Sequence, residues 1–171
     1  MFLDILILSH LRGGPIHGYE LKRKVADTIA VALNNNTLYP ALRRFEAAGA
    51  VTKVAEQQTG RPPRHVYEIT DVGRELLHDM VAELPAELAG EEAEFLTRLG
   101  MFDELTPDER AAVLAARDQA LARRLEHLGG QAARARNSRN NRDWGGLVTA
   151  ELIARTERER TWLDELRRRS S

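Results

Sequence analysis

The densest set of side chains able to do recognition chemistry lies between Asn34 and Ala48, NNNTLYPALRRFEAA, which holds amides, a hydroxyl, a phenol and two guanidinium groups. Asparagine can pair bidentately with an adenine edge and arginine with a guanine edge, while hydroxyl and guanidinium groups also bind phosphate. No catalytic grouping competes with this stretch. His10, His17, His65, His78 and His127 have no ligand spacing, cysteine is absent, and no glycine-rich loop follows a strand. Neither a metal site, a nucleophile nor a phosphate-cradling loop is therefore expected, and the chain reads as a non-enzyme without a cofactor.

For these groups to act they must stand on one face. At about 100° per residue, Leu38, Ala41, Leu42 and Phe45 fall on one side of a helix, whereas Asn36, Pro40, Arg43 and Ala47 fall on the other with Arg44 beside them. Residues Asn34 to Thr37 can cap the first N–H groups, Pro40 is expected in or near the first turn, and Gly49 is the expected stop. A short helix with one packing face and one reading face suits a DNA major groove. An ordinary amphipathic helix with a solvated arginine pair is the other reading of this stretch alone.

Its neighbours narrow the choice. Residues 3–11 form an apolar run, helix or strand, that ends at Gly13-Gly14-Pro15. The segment IHGYELKRKVADTIAVAL predicts a second helix with Leu21, Val25, Ile29 and Ala32 on one face and His17, Gly18 and Tyr19 in its first turn, where a phosphate could be met. After Gly49 come two short β-prone runs, AVTKV and HVYEIT, joined by EQQTGRPPR, a loop too long for a tight turn that carries Arg61 and Arg64. Such a loop has the form of a wing along a DNA backbone, or else of a solvated loop. Thr70-Asp71 starts the next helix, whose apolar positions run from Leu76 to Leu84.

Of the 171 residues 43% are hydrophobic, enough for one large domain or two small ones sharing a core. The net charge is −1, but its distribution is uneven: residues 1–80 carry 10 Lys/Arg against 9 Asp/Glu, residues 81–110 carry 2 against 9, and residues 111–171 carry 13 against 8. Contact with nucleic acid would therefore be a local patch. The lack of cysteine fits the cytoplasm, and no signal peptide or membrane span is read.

Beyond Pro85 an acidic helical connector (85–105) precedes Thr106-Pro107-Asp108-Glu109, a capping box that opens a helix to about Gly129-Gly130, with continuation beyond as the alternative. A last helix runs from about Asp143 to Arg169, after the Asn/Arg-rich segment 131–142. Leu121, Leu125 and Leu128 on the first helix, and Trp144, Leu152, Trp162 and Leu163 on the second, make apolar stripes that a second copy of the chain would cover. Asp118, Arg155 and Glu159 interrupt these stripes and are expected to form a partly buried network.

Helix, helix, reading helix, two-stranded wing, helix is the order of a winged helix-turn-helix. The chain resembles the PadR family of transcriptional regulators in Gly14-Pro15, His17-Gly18-Tyr19-Glu20-Leu21, Thr37-Leu38-Tyr39-Pro40-Ala41-Leu42-Arg43-Arg44, Gly60-Arg61-Pro62-Pro63-Arg64, Tyr67-Glu68-Ile69-Thr70 and Gly73-Arg74-Glu75-Leu76. Its tail is similar to the longer-tailed branch of that family, and it departs at Phe45, where relatives commonly have leucine. The resemblance implies a mainly α fold with a small two-stranded β-wing and long C-terminal dimerisation helices. It divides the chain into a DNA-binding domain (1–84), the connector and a dimerisation and effector domain (106–171).

The function implied is a homodimeric repressor on an inverted-repeat operator in double-stranded DNA, released by a small aromatic or hydrophobic effector. A winged-helix protein-interaction module that binds no DNA is the alternative. Asn36, Thr37, Tyr39 and Arg43 are the expected groove contacts, and Tyr19, Lys22, Arg61 and Arg64 the expected phosphate contacts, with His17 and His65 nearby. The leucine and tryptophan positions of the last two helices are the expected dimer face or effector pocket.

Overall fold

The computed structural model describes residues 1–29, 34–58, 61–136 and 143–170, and describes no side chain at 57, 58, 61–63, 135, 136 or 143. Its elements are α1 (Phe2–Leu11), β1 (Ile16–His17), α2 (Gly18–Ile29), α3 (Asn35–Ala47), β2 (Val51–Gln58), β3 (Arg61–Ile69), α4 (Asp71–Ala82), α5 (Glu92–Leu99), a 3₁₀ turn (Phe102–Glu104), α6 (Pro107–Arg136) and α7 (Asp143–Ser170). The fold is thus mainly helical with a small antiparallel sheet. Two compact units form, one from Met1–Val81 with Leu96–Glu104, the other from Ala82–Phe95 with Leu105–Ser171.

In the first unit the apolar run 3–11 is helical, burying Ile5, Ile7, Leu8 and Leu11. The structure corrects the expected second helix at its start: Ile16 and His17 form a two-residue strand paired with Tyr67 and Val66, so α2 begins only at Gly18. The sheet therefore has three strands in the order β1-β3-β2. A second correction concerns the wing. The ladder continues to Gln58↔Arg61, leaving only residues 59 and 60 between the strands instead of a long loop. Pro62 and Pro63 are accommodated because the register shifts between Glu56 and Gln58, and because β1 is too short to pair with β3 there, so neither N–H is needed.

Residues 49–73 form a tight junction. Gly49, at φ 72°, ends α3, and Ala50 N–H donates to the Phe45 carbonyl at 2.9 Å, a Schellman closure. Thr70 then ties three elements together: its N–H donates to the Ala50 carbonyl (3.0 Å), its hydroxyl donates to the Gly49 carbonyl (2.7 Å), and that hydroxyl accepts the Gly73 N–H (3.1 Å) as the cap of α4. Gly73 is buried so close to this junction that a Cβ on it would stand 2.1 Å from the Ala50 carbonyl oxygen.

In the second unit the capping box forms as read: the Glu109 carboxylate accepts the Thr106 N–H (2.8 Å) and the Thr106 hydroxyl accepts the Glu109 N–H (3.3 Å). The helix passes Gly129-Gly130 and runs through to Arg136, the continuation that the sequence left open. Packing between α6 and α7 is specified by ion pairs other than the expected network. Arg117, 1% exposed, donates to Glu159 at 2.7 Å and to the Ala89 carbonyl at 2.8 Å, and its guanidinium lies 5.5 Å from the Phe95 ring centroid. Asp118 pairs with Arg160 and Arg167, while Arg155 pairs with Glu151 on its own exposed face. The hydrogen bond from Arg160 is the main reason the Asp118 carboxyl is held below the usual carboxylate range. Residues 117 and 118 both fall within the α6 stripe, and the longer side chain is the one that takes the core.

Gly73→Ala should lower stability by about 3 kcal/mol, because overpacking against fixed backbone outweighs the gain of about 1 kcal/mol that alanine ordinarily brings to a helix. An unchanged or raised midpoint in thermal unfolding would contradict the close approach. Arg117→Ala should cost about 3–5 kcal/mol in urea unfolding by leaving Glu159 and the Ala89 carbonyl without their donor, and Arg117→Met with Glu159→Leu should recover roughly half. Equal losses for the two variants would remove the ion pair from the account.

Candidate nucleic-acid interface

The packing face of α3 is buried as its periodicity requires: Leu38, Ala41, Leu42 and Phe45 are at most 5% exposed. Asn34 caps the helix by accepting the Asn36 N–H at 3.0 Å. Pro40 is not in the first turn but at the sixth helical position, where it has no N–H for the Asn36 carbonyl; it is exposed, so its ring meets solvent. Asn36, Thr37 and Arg43 are exposed beside it. The neighbouring arginine behaves differently. Arg44 donates to Asp4 at 2.5 Å and lies 5.4 Å from the Phe45 ring centroid, so it braces α3 on α1.

Tyr39 is half-buried and turns toward Gly18. A Cβ on Gly18 would stand 3.3 Å from Tyr39 Cε1 and 3.1 Å from Tyr67 Cε2, so glycine lets the two phenol rings approach the start of α2. The Tyr67 phenol is pushed above its ordinary range by burial, with Tyr39 and Glu46 adding to the shift and Arg43 opposing it. Around this approach lies a concavity of about 230 Å³ lined by His17, Gly18, Tyr19, Tyr39, Arg64, His65 and Tyr67. The Arg64 guanidinium lies 5.7 Å from the Tyr19 ring centroid, and the His17 and Tyr19 rings stack at 6.0 Å with planes 20° apart. Arg64 thus stands within β3, opposite Glu56, and not on a loop tip.

Of the expected phosphate contacts, Tyr19 and Arg64 are brought together and exposed, and Lys22 lies half-buried on α2; the Arg61 side chain lies outside the described residues. Sequence reading placed His17 in a helical turn and gave Tyr67 no role at the site. Both enter because β1 pairs with β3, and two residues carry too little pattern to signal a strand.

The expected positions of the second unit separate into two sets. Leu121, Leu128 and Leu163 are already buried in the single chain, and Leu125 and Leu152 are half-buried. Trp162 meets Phe95 edge-on at 6.2 Å, whereas Trp144 is 81% exposed and Leu147 and Val148 are each 60% exposed. The two tryptophans stand eighteen positions apart on continuous helix, about 27 Å, so one chain does not bring them into a common small pocket. Among the described residues no helix is long and apolar enough to cross a membrane, and no group of three or more His, Asp or Glu side chains could hold a metal ion.

A three-helix core with a β-wing and an exposed helix face is a winged helix-turn-helix. Residues 7–79 match the model of the transcriptional regulator PadR-like family, the family that the chain's motifs resemble. The chain is 32% identical over 106 residues, 62% of its length, to a 37.1 kDa protein of uncharacterised function in transposon TN4556 of Streptomyces fradiae; the match spans 27% of that protein. Similar solved structures include Bacillus subtilis PadR in complex with operator DNA (21% identity, all of both chains covered, TM-score 0.45). Another is a PadR family transcriptional regulator from Eggerthella lenta (38% identity, 45% of this chain and 66% of that one, TM-score 0.41).

Proposed function

We propose that the chain is a sequence-specific DNA-binding transcriptional regulator of the cytoplasm, acting as a homodimeric repressor that a small aromatic or hydrophobic effector releases. The observation that carries the DNA-binding part is the exposed strip Asn36, Thr37 and Arg43 on α3, whose opposite face is sealed into the core. The arginine next to Arg43 is spent on Asp4, which leaves Arg43 as the guanidinium available on that strip. Residues 1–84 are the DNA-binding part, 85–105 the connector and 106–171 the part that pairs and takes the effector. The exposed Trp144, Leu147 and Val148 favour a second copy as the cover for α7. A two-fold dimer would place its two α3 helices in successive major grooves about 34 Å apart, so the operator is an inverted repeat with half-sites near one helical turn apart.

Selection of bound fragments from the DNA upstream of its own gene tests this reading, and recovery of no preferred sequence would reject it. Arg43→Ala should lose about 1–3 kcal/mol of discrimination at one base pair per half-site while keeping its salt dependence. A uniform loss over all sequences would instead place Arg43 on phosphate. Trp144→Glu should raise the dimer dissociation constant by at least about tenfold in sedimentation, since a charge would enter the covered face; an unchanged constant would move the dimer contact elsewhere. Quenching of tryptophan fluorescence by aromatic ligands reads effector binding in the same protein, and absence of saturation would remove the effector from the proposal.

A further inference from the structure

We propose that His17 is a positioning residue for a seat that takes one backbone phosphate of duplex DNA, and that Tyr39 serves this seat instead of a base edge. The inference rests on the DNA-binding reading above and assigns the partner group and the roles within the concavity. Its lining offers donors: the Arg64 guanidinium, the phenol groups of Tyr19 and Tyr39, and the imidazole of His65. Among the described residues no carboxylate lines it. A tetrahedral phosphodiester monoanion, whose oxygens only accept, matches such a donor set, and about 230 Å³ accommodates it with its water.

The seat works only if Arg64 is held, because an arginine on an exposed strand position otherwise surrenders rotamer freedom each time it grips a ligand. Here the guanidinium rests on Tyr19 and the Tyr19 ring rests on His17, so three side chains from two segments form one stack. His17 is anchored behind the stack by the pairing of its backbone with Val66 and by Glu56, whose carboxylate lies 3.7 Å from Nε2. His17 therefore acts through Tyr19 on Arg64 and need not touch the phosphate. Tyr39 belongs to the seat by position: its hydroxyl is 3.5 Å from where a Gly18 Cβ would be, at the start of α2, and its side chain lines the concavity.

The test is a double-mutant cycle on the full chain, titrating a mixed-sequence duplex several helical turns long at a series of salt concentrations. Arg64→Ala and His17→Ala should each weaken binding about fivefold and flatten the slope of log K against log salt by about 0.9 per chain, the value for one lost phosphate contact. The double variant should be no worse than Arg64→Ala alone, His17→Phe should stay near wild type because it keeps a ring under Tyr19, and Tyr39→Phe should weaken all sequences equally. A general packing defect at His17 would add to the Arg64→Ala loss, and additivity would overturn the positioning role. A slope untouched by Arg64→Ala in a chain that still binds duplex would overturn the seat. Saturable binding of inorganic phosphate at constant ionic strength, abolished by Arg64→Ala with the duplex slope unchanged, would assign the concavity to free phosphate and overturn the proposal. Failure of the wild-type chain to bind any duplex would reject the DNA-binding reading itself, and the seat with it.

Discussion

The winged-helix unit depends on one close approach of backbone to backbone, where the first turn of α4 lies against the carbonyl of Ala50. That carbonyl accepts the Thr70 N–H and leaves no space for a side chain at Gly73. The contact forces the chain leaving α3 and the chain leaving β3 to cross within a few residues of each other. The orientation of α3 relative to the sheet follows from it, and so does which face of α3 remains exposed. Hydrophobic burial of Leu38, Leu42 and Phe45 supplies the driving force, but it is non-directional, and hydrogen bonds at Gly49, Ala50 and Thr70 set the angle.

A division of labour between adjacent charged residues recurs in both units. Arg44 is committed to Asp4 and the Phe45 ring, which leaves Arg43 on the exposed strip. In the second unit Arg117 is sunk between Glu159, the Ala89 carbonyl and Phe95, a geometry in which its N–H groups meet acceptors and its guanidinium lies over a π surface. Desolvating it is expensive, and its gain is register: a slide of α7 along α6 would bury the charge without partners. The pairs at Asp118 are more exposed, and screening by water makes them a smaller contribution to stability. Their carboxylate, held below the usual range, contributes above that range and loses its contribution only as strong acid protonates it.

The concavity beside α3 shows how a short element can have effects beyond its length. Two residues of strand draw His17 out of a helix and under Tyr19, and the absence of a Cβ at Gly18 lets Tyr39 and Tyr67 close in. Aromatic rings, a guanidinium and imidazoles thereby share a surface that none of the contributing helices or strands presents alone. Stacking makes this surface stiff, and a stiff donor array spends less free energy on ordering when an anion arrives.

Much of this was legible in the residues themselves. The 3.6-residue period of α3, its asparagine cap, its glycine stop and the Thr106 capping box are local physics, decided by contacts within one turn, and they appear where the pattern puts them. Local pattern also separated an exposed polar face from a packing face. What it could not decide was anything set by chain segments far apart in sequence. The transfer of His17 from helix to strand and the choice of Arg117 as the buried cation each depend on a partner dozens of residues away. The same holds for which leucines are already covered and which tryptophan stays in solvent. Periodicity marks the apolar positions, while only the packed chain determines whether a neighbouring element or a second molecule covers them, because burial is a property of the surface that meets them and not of the residue alone.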